Sequence, residues 1–404
     1  MGAPKRKIIN DPVYGFITIN HPLIFSILAH PYYQRLRRIT QMAMGQLVYP
    51  GAVHTRFHHS LGAYHLMGNA VNELRSKGTE ITEEEEIAVK AAILLHDIGH
   101  GPYSHALEHV VVKGVHHETL SLQIMHEMNA AFDGQLTLAI QIFTGAYHKP
   151  FLHQLISGQL DVDRMDYLSR DSFFCGVSEG VIGYDRILKM LVVVDGQLMI
   201  EEKGIYSVEK FLVARRQMYW QVYLHKTVLS AEKMLVKILE RARSLYTSND
   251  AAMQTGSALD YFLGTFNGTM DAHALAQFCA LDDHDIMHAI KRWSTHPDKV
   301  LSLLCSRFLS RQLYKTTIQS EPFLPATIAA KQKQSLDAFE LDPSKVGYVC
   351  FTGEATNTLY QTKDERINIL FKDGSIKDIS LIDNALIHQN LSAAVKKNYI
   401  CQLL

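Results

Sequence analysis

Imidazole and carboxylate stand side by side at His96-Asp97, at the end of a run of apolar residues, with His59 upstream, His100 four positions on and Asp163 further along. Burying such groups on an apolar helix is costly unless an opposite charge offsets the lost hydration. A divalent cation does this directly, and it can hold an activated water. His105, His116 and His117 widen the set, among the glycines and proline of His-Asp-Ile-Gly-His-Gly-Pro. A chain with 21 histidines gathers some clusters by chance, and a lone helical histidine is more often a core or surface residue than a ligand. The combination is what points to a metal. Two imidazoles and two carboxylates suit one divalent ion per site, Mn²⁺, Fe²⁺, Zn²⁺ or Ni²⁺, with Mg²⁺ admitted where waters complete its shell. The chemistry implied is metal-dependent phosphohydrolysis.

Helices must position these groups. Thr82 and Glu85 form a capping box, and Ile87, Ala91, Leu94, Leu95 and Ile98 supply an apolar face until Gly99, Gly101 and Pro102 end the helix, with His96 and Asp97 in its last turn. A second helix over 60–77, stopped at Gly78, puts His59 at its N-terminal edge. A third, over 149–170, aligns Asp163, Asp166, Tyr167 and Arg170 on one face. A long helix over 207–246 aligns Arg215, Tyr219, Tyr223 and Lys226. After Asp342 the apolar period falls to two, through 347–351, Ile367, Ile369, Phe371, an Asp373-Gly374 turn, Ile376 and Ile379. The expected fold is therefore mainly α, divided into a catalytic helical segment 1–248, a helical extension 249–340 and a small α+β region 341–404.

At 404 residues with 47% hydrophobic content, the chain can build a large core. A net charge of -1 gives no bulk attraction to nucleic acid or to a membrane surface. Five scattered cysteines, none in a CxxC arrangement, argue against a disulfide framework and a zinc knuckle and fit a reducing cytoplasm. The basic N-terminus is broken at Asp11-Pro12 before any signal-length apolar stretch, and no membrane span is expected. Cys401-Gln402-Leu403-Leu404 formally matches a prenylation box, with only Lys396-Lys397 as basic support.

Four stretches occur in order: His54-Thr55-Arg56-Phe57-His58-His59-Ser60-Leu61-Gly62, His96 to His105, His117-Glu118, and Asp161 to Asp171. Together they resemble the HD-superfamily deoxynucleoside triphosphate triphosphohydrolases. Lys7 to Pro12, Gln34-Arg35-Leu36-Arg37 and Tyr223 to Lys226 extend the likeness, which is strong over roughly the first 250 residues. The bare HD doublet also serves phosphodiesterases and nucleotidases; the two long motifs are more restrictive.

The resemblance implies an HD-domain helical core with metal ligands His59, His96, Asp97 and Asp163. It implies His100 and His117 at the α-phosphate, His117 as general acid with Glu118 orienting it. Arg56, Arg164 and Arg215, assisted by His105, would grip a triphosphate, for which the planar guanidinium fork is suited. Gln41, Tyr167 and Asp171 would read the sugar 3′ hydroxyl, and Tyr223 would close against the 2′ carbon. A dNTP substrate, a nucleotide activator and assembly as a homodimer or homotetramer follow from the same likeness. Leu224 and Met42 depart from the family pattern near the base, so base preference does not carry over. Lys7 and Asn10 match its activator site, whereas Ala29 replaces an acidic guanine reader. Two other readings stand: a phosphodiesterase or 5′-nucleotidase acting on another nucleotide, and a non-catalytic binder of nucleotides or single strands. The last lacks a basic, aromatic-interleaved tract.

Overall fold

The computed structural model describes residues 6–112, 114–247, 250–357, 366–382 and 395–404. Helices dominate it, as expected. One contiguous cluster of buried side chains runs from Ile17 to Leu403 and gives the helices a common core. Among the described residues, no helix is long and apolar enough to cross a membrane.

Two long helices form the central layer. Arg56–Ser76 packs on Glu83–Leu95 and, on another side, on Val162–Cys175. The capping box forms with both reciprocal bonds, Thr82 N–H to Glu85 at 2.8 Å and Glu85 N–H to Thr82 Oγ1 at 3.1 Å. Gly62 lets the Arg56–Ser76 and Val162–Cys175 helices approach closely: a Cβ there would overlap the Asp166 and Arg170 side chains.

The expected helix ends shift. The first helix begins at Arg56, so His59 lies within its first turns rather than before it. Glu83–Leu95 ends one residue before His96, which places the His96-Asp97 pair in the turn that follows. Neither of the other two helices is continuous. The one expected over 149–170 splits into Pro150–Gln154 and Val162–Cys175, because the Asp161 side chain accepts the Arg164 N–H at 2.7 Å and starts a new helix. The one expected over 207–246 splits into Ile205–Gln217, a wide π-helical turn at Met218–Tyr223, and Lys226–Leu245, capped by His225. Lys226 therefore leaves the stripe of Arg215 and Tyr223.

Among the described residues, nine strands form three sheets: β1 (Lys7–Asp11) with β2 (Gly15–Ile19); β3 (Leu191–Val194), β4 (Gln197–Glu201), β7 (Asn368–Leu370) and β8 (Ile376–Asp378) in that order; and β5 (Lys315–Gln319), β9 (Val395–Gln402) and β6 (Cys350–Asn357) in that order. The β7–β8 hairpin turns at Gly374, at φ +84°, as the Asp-Gly signal predicts. Gly347 to Val349, expected as strand, belong to a short helix, and the strand begins at Cys350. The boundary expected at 248 lies outside the described residues. That at 340 is crossed by paired strands, since β7 adds in parallel to β4 and β9 pairs with β5. All five cysteines are unpaired, and Cys401 is buried within β9.

Candidate active site

A cavity of about 570 Å³ opens beside the His96-Asp97 turn. At its floor, the ligand atoms of His59, His96 and Asp163 all lie within 4.8 Å of one another. His59 Nε2 is 3.0 Å from Asp163 Oδ1, and His96 Nε2 is 3.4 Å from the same oxygen. Both Nε2 atoms are buried and neither makes a hydrogen bond. An orphaned pair of imidazole nitrogens facing a carboxylate fits a cation, which would satisfy all three.

Each imidazole is aimed from behind. His59 Nδ1 donates to Asp166 at 2.7 Å; Asp166 is held by Arg170, which also donates to Asp11 at 2.8 Å. His96 Nδ1 lies 2.6 Å from the Ile93 carbonyl. Such outer bonds fix tautomer and ring orientation for metal binding. Burial alone would push the His59 imidazole down, but Asp163 and Asp166 raise it to about 10, the mark of a position that demands positive charge.

Asp97 stands beside this trio rather than inside it. Its oxygens are 3.5 Å from His59 Nε2 and 3.4 Å from His96 Nε2, but one of them is taken by the Arg56 guanidinium. Burial opposes ionisation of Asp97, yet His96, Arg56 and His100 hold its carboxyl well below the usual range. The turn is pinned from outside as well. The buried Arg35 donates to the carbonyls of Leu281, Ile98 and His100, and a Cβ on Gly99 would strike the His117 and Ser121 backbone.

A second trio, His100, His105 and His117, has its ligand atoms within 4.8 Å of one another. His100 and His117 stack with centroids 4.0 Å apart. Burial and the Arg56 charge keep His100 well below the ordinary imidazole range, so it is neutral. His117 opens the His117–Ala131 helix, and its Nδ1 donates to Glu108 at 2.6 Å. The same carboxylate accepts the His117 backbone N–H at 3.0 Å and faces His105 Nδ1 at 3.3 Å. Glu118, expected in this role, is exposed and makes no bond to His117.

Further out, Gln41, Arg56, His105, Tyr167, Asp171, Arg215 and Tyr223 all line the cavity. Tyr223 Oη donates to Asp171 at 2.8 Å, and Asp171 also faces His54 Nε2 at 2.7 Å. Gln41 Oε1 is buried and without a partner. Arg215 is steadied by Gln159 at 3.2 Å. Arg164 departs from expectation: it does not line the cavity but pairs with Asp161 behind the wall.

Sequence reasoning missed several contributors. Glu108 lies three residues after His105, a spacing that could have suggested it. His54 heads the His54–Gly62 stretch, where residue type alone does not reveal its bond to Asp171. Ser104 accepts from Arg56 Nε at 2.7 Å, and it and Tyr103 occupy left-handed backbone, φ +48° and +50°. Asp283 holds that strained turn, accepting from Tyr103 N at 2.7 Å and Thr40 N at 2.8 Å. No local signal connects it to the site.

An HD-domain family model matches residues 56–171, and an HD-associated region matches 182–263. The chain belongs to the HD-domain phosphohydrolase superfamily. It is similar to a crystallised phosphohydrolase from Bacteroides thetaiotaomicron, 48% identical with a TM-score of 0.92, covering 98% of this chain and 100% of that one. It is also similar to the uncharacterized protein YwfO of Bacillus subtilis, 32% identical over 93% of this chain and 87% of that protein. A third relative is the deoxynucleoside triphosphate triphosphohydrolase SAMHD1 of Bos taurus, 27% identical over 98% of this chain and 72% of that protein.

Proposed function

We propose that this chain hydrolyses deoxynucleoside triphosphates to deoxynucleoside and inorganic triphosphate. One observation carries the reading: a single cavity joins the His59, His96 and Asp163 cluster to the His100–His105–His117 trio and to the Asp171–Tyr223 pair. Those three groups suit, in turn, an α-phosphate, its leaving oxygen with the neighbouring phosphates, and a sugar.

His59, His96 and Asp163, with Asp97 alongside, would hold a divalent ion, and such an ion when bound would supply Lewis-acid activation of water for attack on phosphorus. The protein does the rest. Arg56, braced by Asp97 and Ser104, and Arg215 place positive charge against the phosphoryl oxygens. With Nδ1 anchored on Glu108, His117 offers Nε2 as the atom that protonates the departing 5′ oxygen. The orphaned Gln41 Oε1 accepts from a 3′ hydroxyl, and Tyr223, tied to Asp171, crowds the 2′ position. A nucleotide activator and a homodimer or homotetramer accompany this reading through the SAMHD1 likeness alone.

A second reading has its own support. With Arg164 paired to Asp161, one of the arginines expected at the phosphates is absent from the cavity lining, which suits a monophosphate or diester. Incubating the protein with each dNTP, GTP, a dNMP and a cyclic nucleotide, with Mn²⁺ or Mg²⁺, and separating products by ion exchange decides between them. Deoxynucleoside with intact triphosphate is expected. Turnover of only the monophosphate or cyclic substrate sinks the first reading in favour of the second.

A further inference from the structure

Four carboxylates line the cavity: Asp97, Asp163, Asp171 and Glu232. The first three are engaged. Asp97 pairs with Arg56, Asp163 faces His59 and His96, and Asp171 is bonded to His54 and Tyr223. Glu232 makes no hydrogen bond or ion pair among the described residues. It lies on the Lys226–Leu245 helix one turn beyond Val228, and the lining of the same cavity includes the apolar Met42, Val222, Leu224 and Val228.

We propose that Glu232 reads the nucleobase and gives the enzyme a preference for guanine. This rests on the dNTP reading of the cavity. A polyphosphate laid against an unpaired carboxylate would be repelled, so the triphosphate belongs with Arg56, Arg215 and the histidines, and the nucleoside end is left for Glu232. The apolar wall of Met42, Val222, Leu224 and Val228 suits the face of a ring. An ionised carboxylate only accepts hydrogen bonds, through two adjacent oxygens. Guanine offers two adjacent donors, N1–H and the 2-amino group, which match it in a fork. Adenine and cytosine offer one amino donor beside an acceptor; thymine offers one N–H between two carbonyls. Burial pushes the Glu232 carboxyl up to about 7, against the pull of Lys233, and pairing with two donors would restore its charge. Neither Leu224 nor Met42 can supply such bonds.

Internal competition tests this independently of any activation. An equimolar mixture of the four dNTPs and dITP is incubated with wild type, Glu232→Gln and Glu232→Ala, and the relative depletion rates give ratios of kcat/KM. Wild type should consume dGTP fastest, ahead of dITP, which lacks the 2-amino group. In both variants the dGTP-to-dTTP ratio should fall about tenfold or more, as expected when a bidentate contact is lost. Wild type showing no preference for dGTP over dITP and dTTP overturns the inference, and so do ratios that the substitutions leave unmoved. Absence of depletion of every dNTP by wild type instead overturns the functional reading beneath it. Should Glu232→Ala fail to fold, the near-isosteric Gln variant and the wild-type ratios still decide.

Discussion

At the floor of the cavity His59 cannot turn, because Nδ1 is fixed by Asp166, Asp166 by Arg170 and Arg170 by Asp11 on the β1–β2 hairpin. Toward the mouth the His105 side chain is 69% exposed, while along the cavity Gln41 Oε1 has no partner and Glu232 adds a carboxylate to the lining. Buried charges are tolerated at the floor because each is answered by a partner within the fold, and the orphaned Nε2 atoms of His59 and His96 fit a cation. The mouth leaves its polar atoms open because their partners arrive with the substrate. Chemistry of fixed geometry needs groups locked in place by the side chains behind them, whereas a substrate must enter and leave.

The contrast can be broken most forcefully at Asp163. Asp163→Asn should abolish turnover, lowering kcat/KM by at least about a thousandfold, well beyond the effect of an outer partner, and should lower bound metal in elemental analysis of purified protein. A metal-loaded, folded variant that still hydrolyses nucleotide would remove the floor from the mechanism. Next comes Asp166, which touches no substrate. Asp166→Asn should weaken metal binding by about 10- to 100-fold, read by chelator competition. Metal affinity like that of wild type would show that the Asp11–Arg170–Asp166 chain serves packing alone.

Glu108 separates the floor from the mouth, since it holds His117 by Nδ1 and backbone N–H while touching His105. Glu108→Ala should cut kcat by about a hundredfold with KM little changed, and Glu108→Gln, which keeps an acceptor, by about tenfold. The pH–rate profile should move with it. A KM effect without a kcat effect would make Glu108 a binding residue instead.

How far this was readable beforehand depends on the range of the contact. His59, His96, Asp97 and Asp163 announced themselves by residue type and motif, and three of the four do converge. Thr82 and Glu85 were legible because a capping box lies within four residues. Glu108 was not, because it reaches His117 only through the turn at Gly114, at φ +79°. The breaks at Asp161 and His225 were hidden by apolar periodicity that continues across them while a side-chain cap restarts the helix. The Asp373-Gly374 hairpin was legible, but its partner β4 lies some 170 residues earlier, and such registers are set by tertiary packing. Asp283 acts from still further away along the chain.

The smallest expected effect falls on Glu118. Glu118 follows His117 directly, and adjacency suggests partnership; yet successive residues on a helix point about 100° apart. With His117 turned to Glu108, Glu118 faces solvent in the first turn of the His117–Ala131 helix. Its charge there serves the helix dipole, so Glu118→Gln should cost on the order of 0.3–1 kcal/mol in a thermal melt and change kcat by no more than about twofold. Steady-state rates for Glu108→Gln and Glu118→Gln, measured side by side, make the test asymmetric. Were Glu118→Gln to silence the enzyme while Glu108→Gln ran normally, the carboxylate that aims His117 would be the neighbour in sequence, and the helix start seen here would have to rotate on binding substrate.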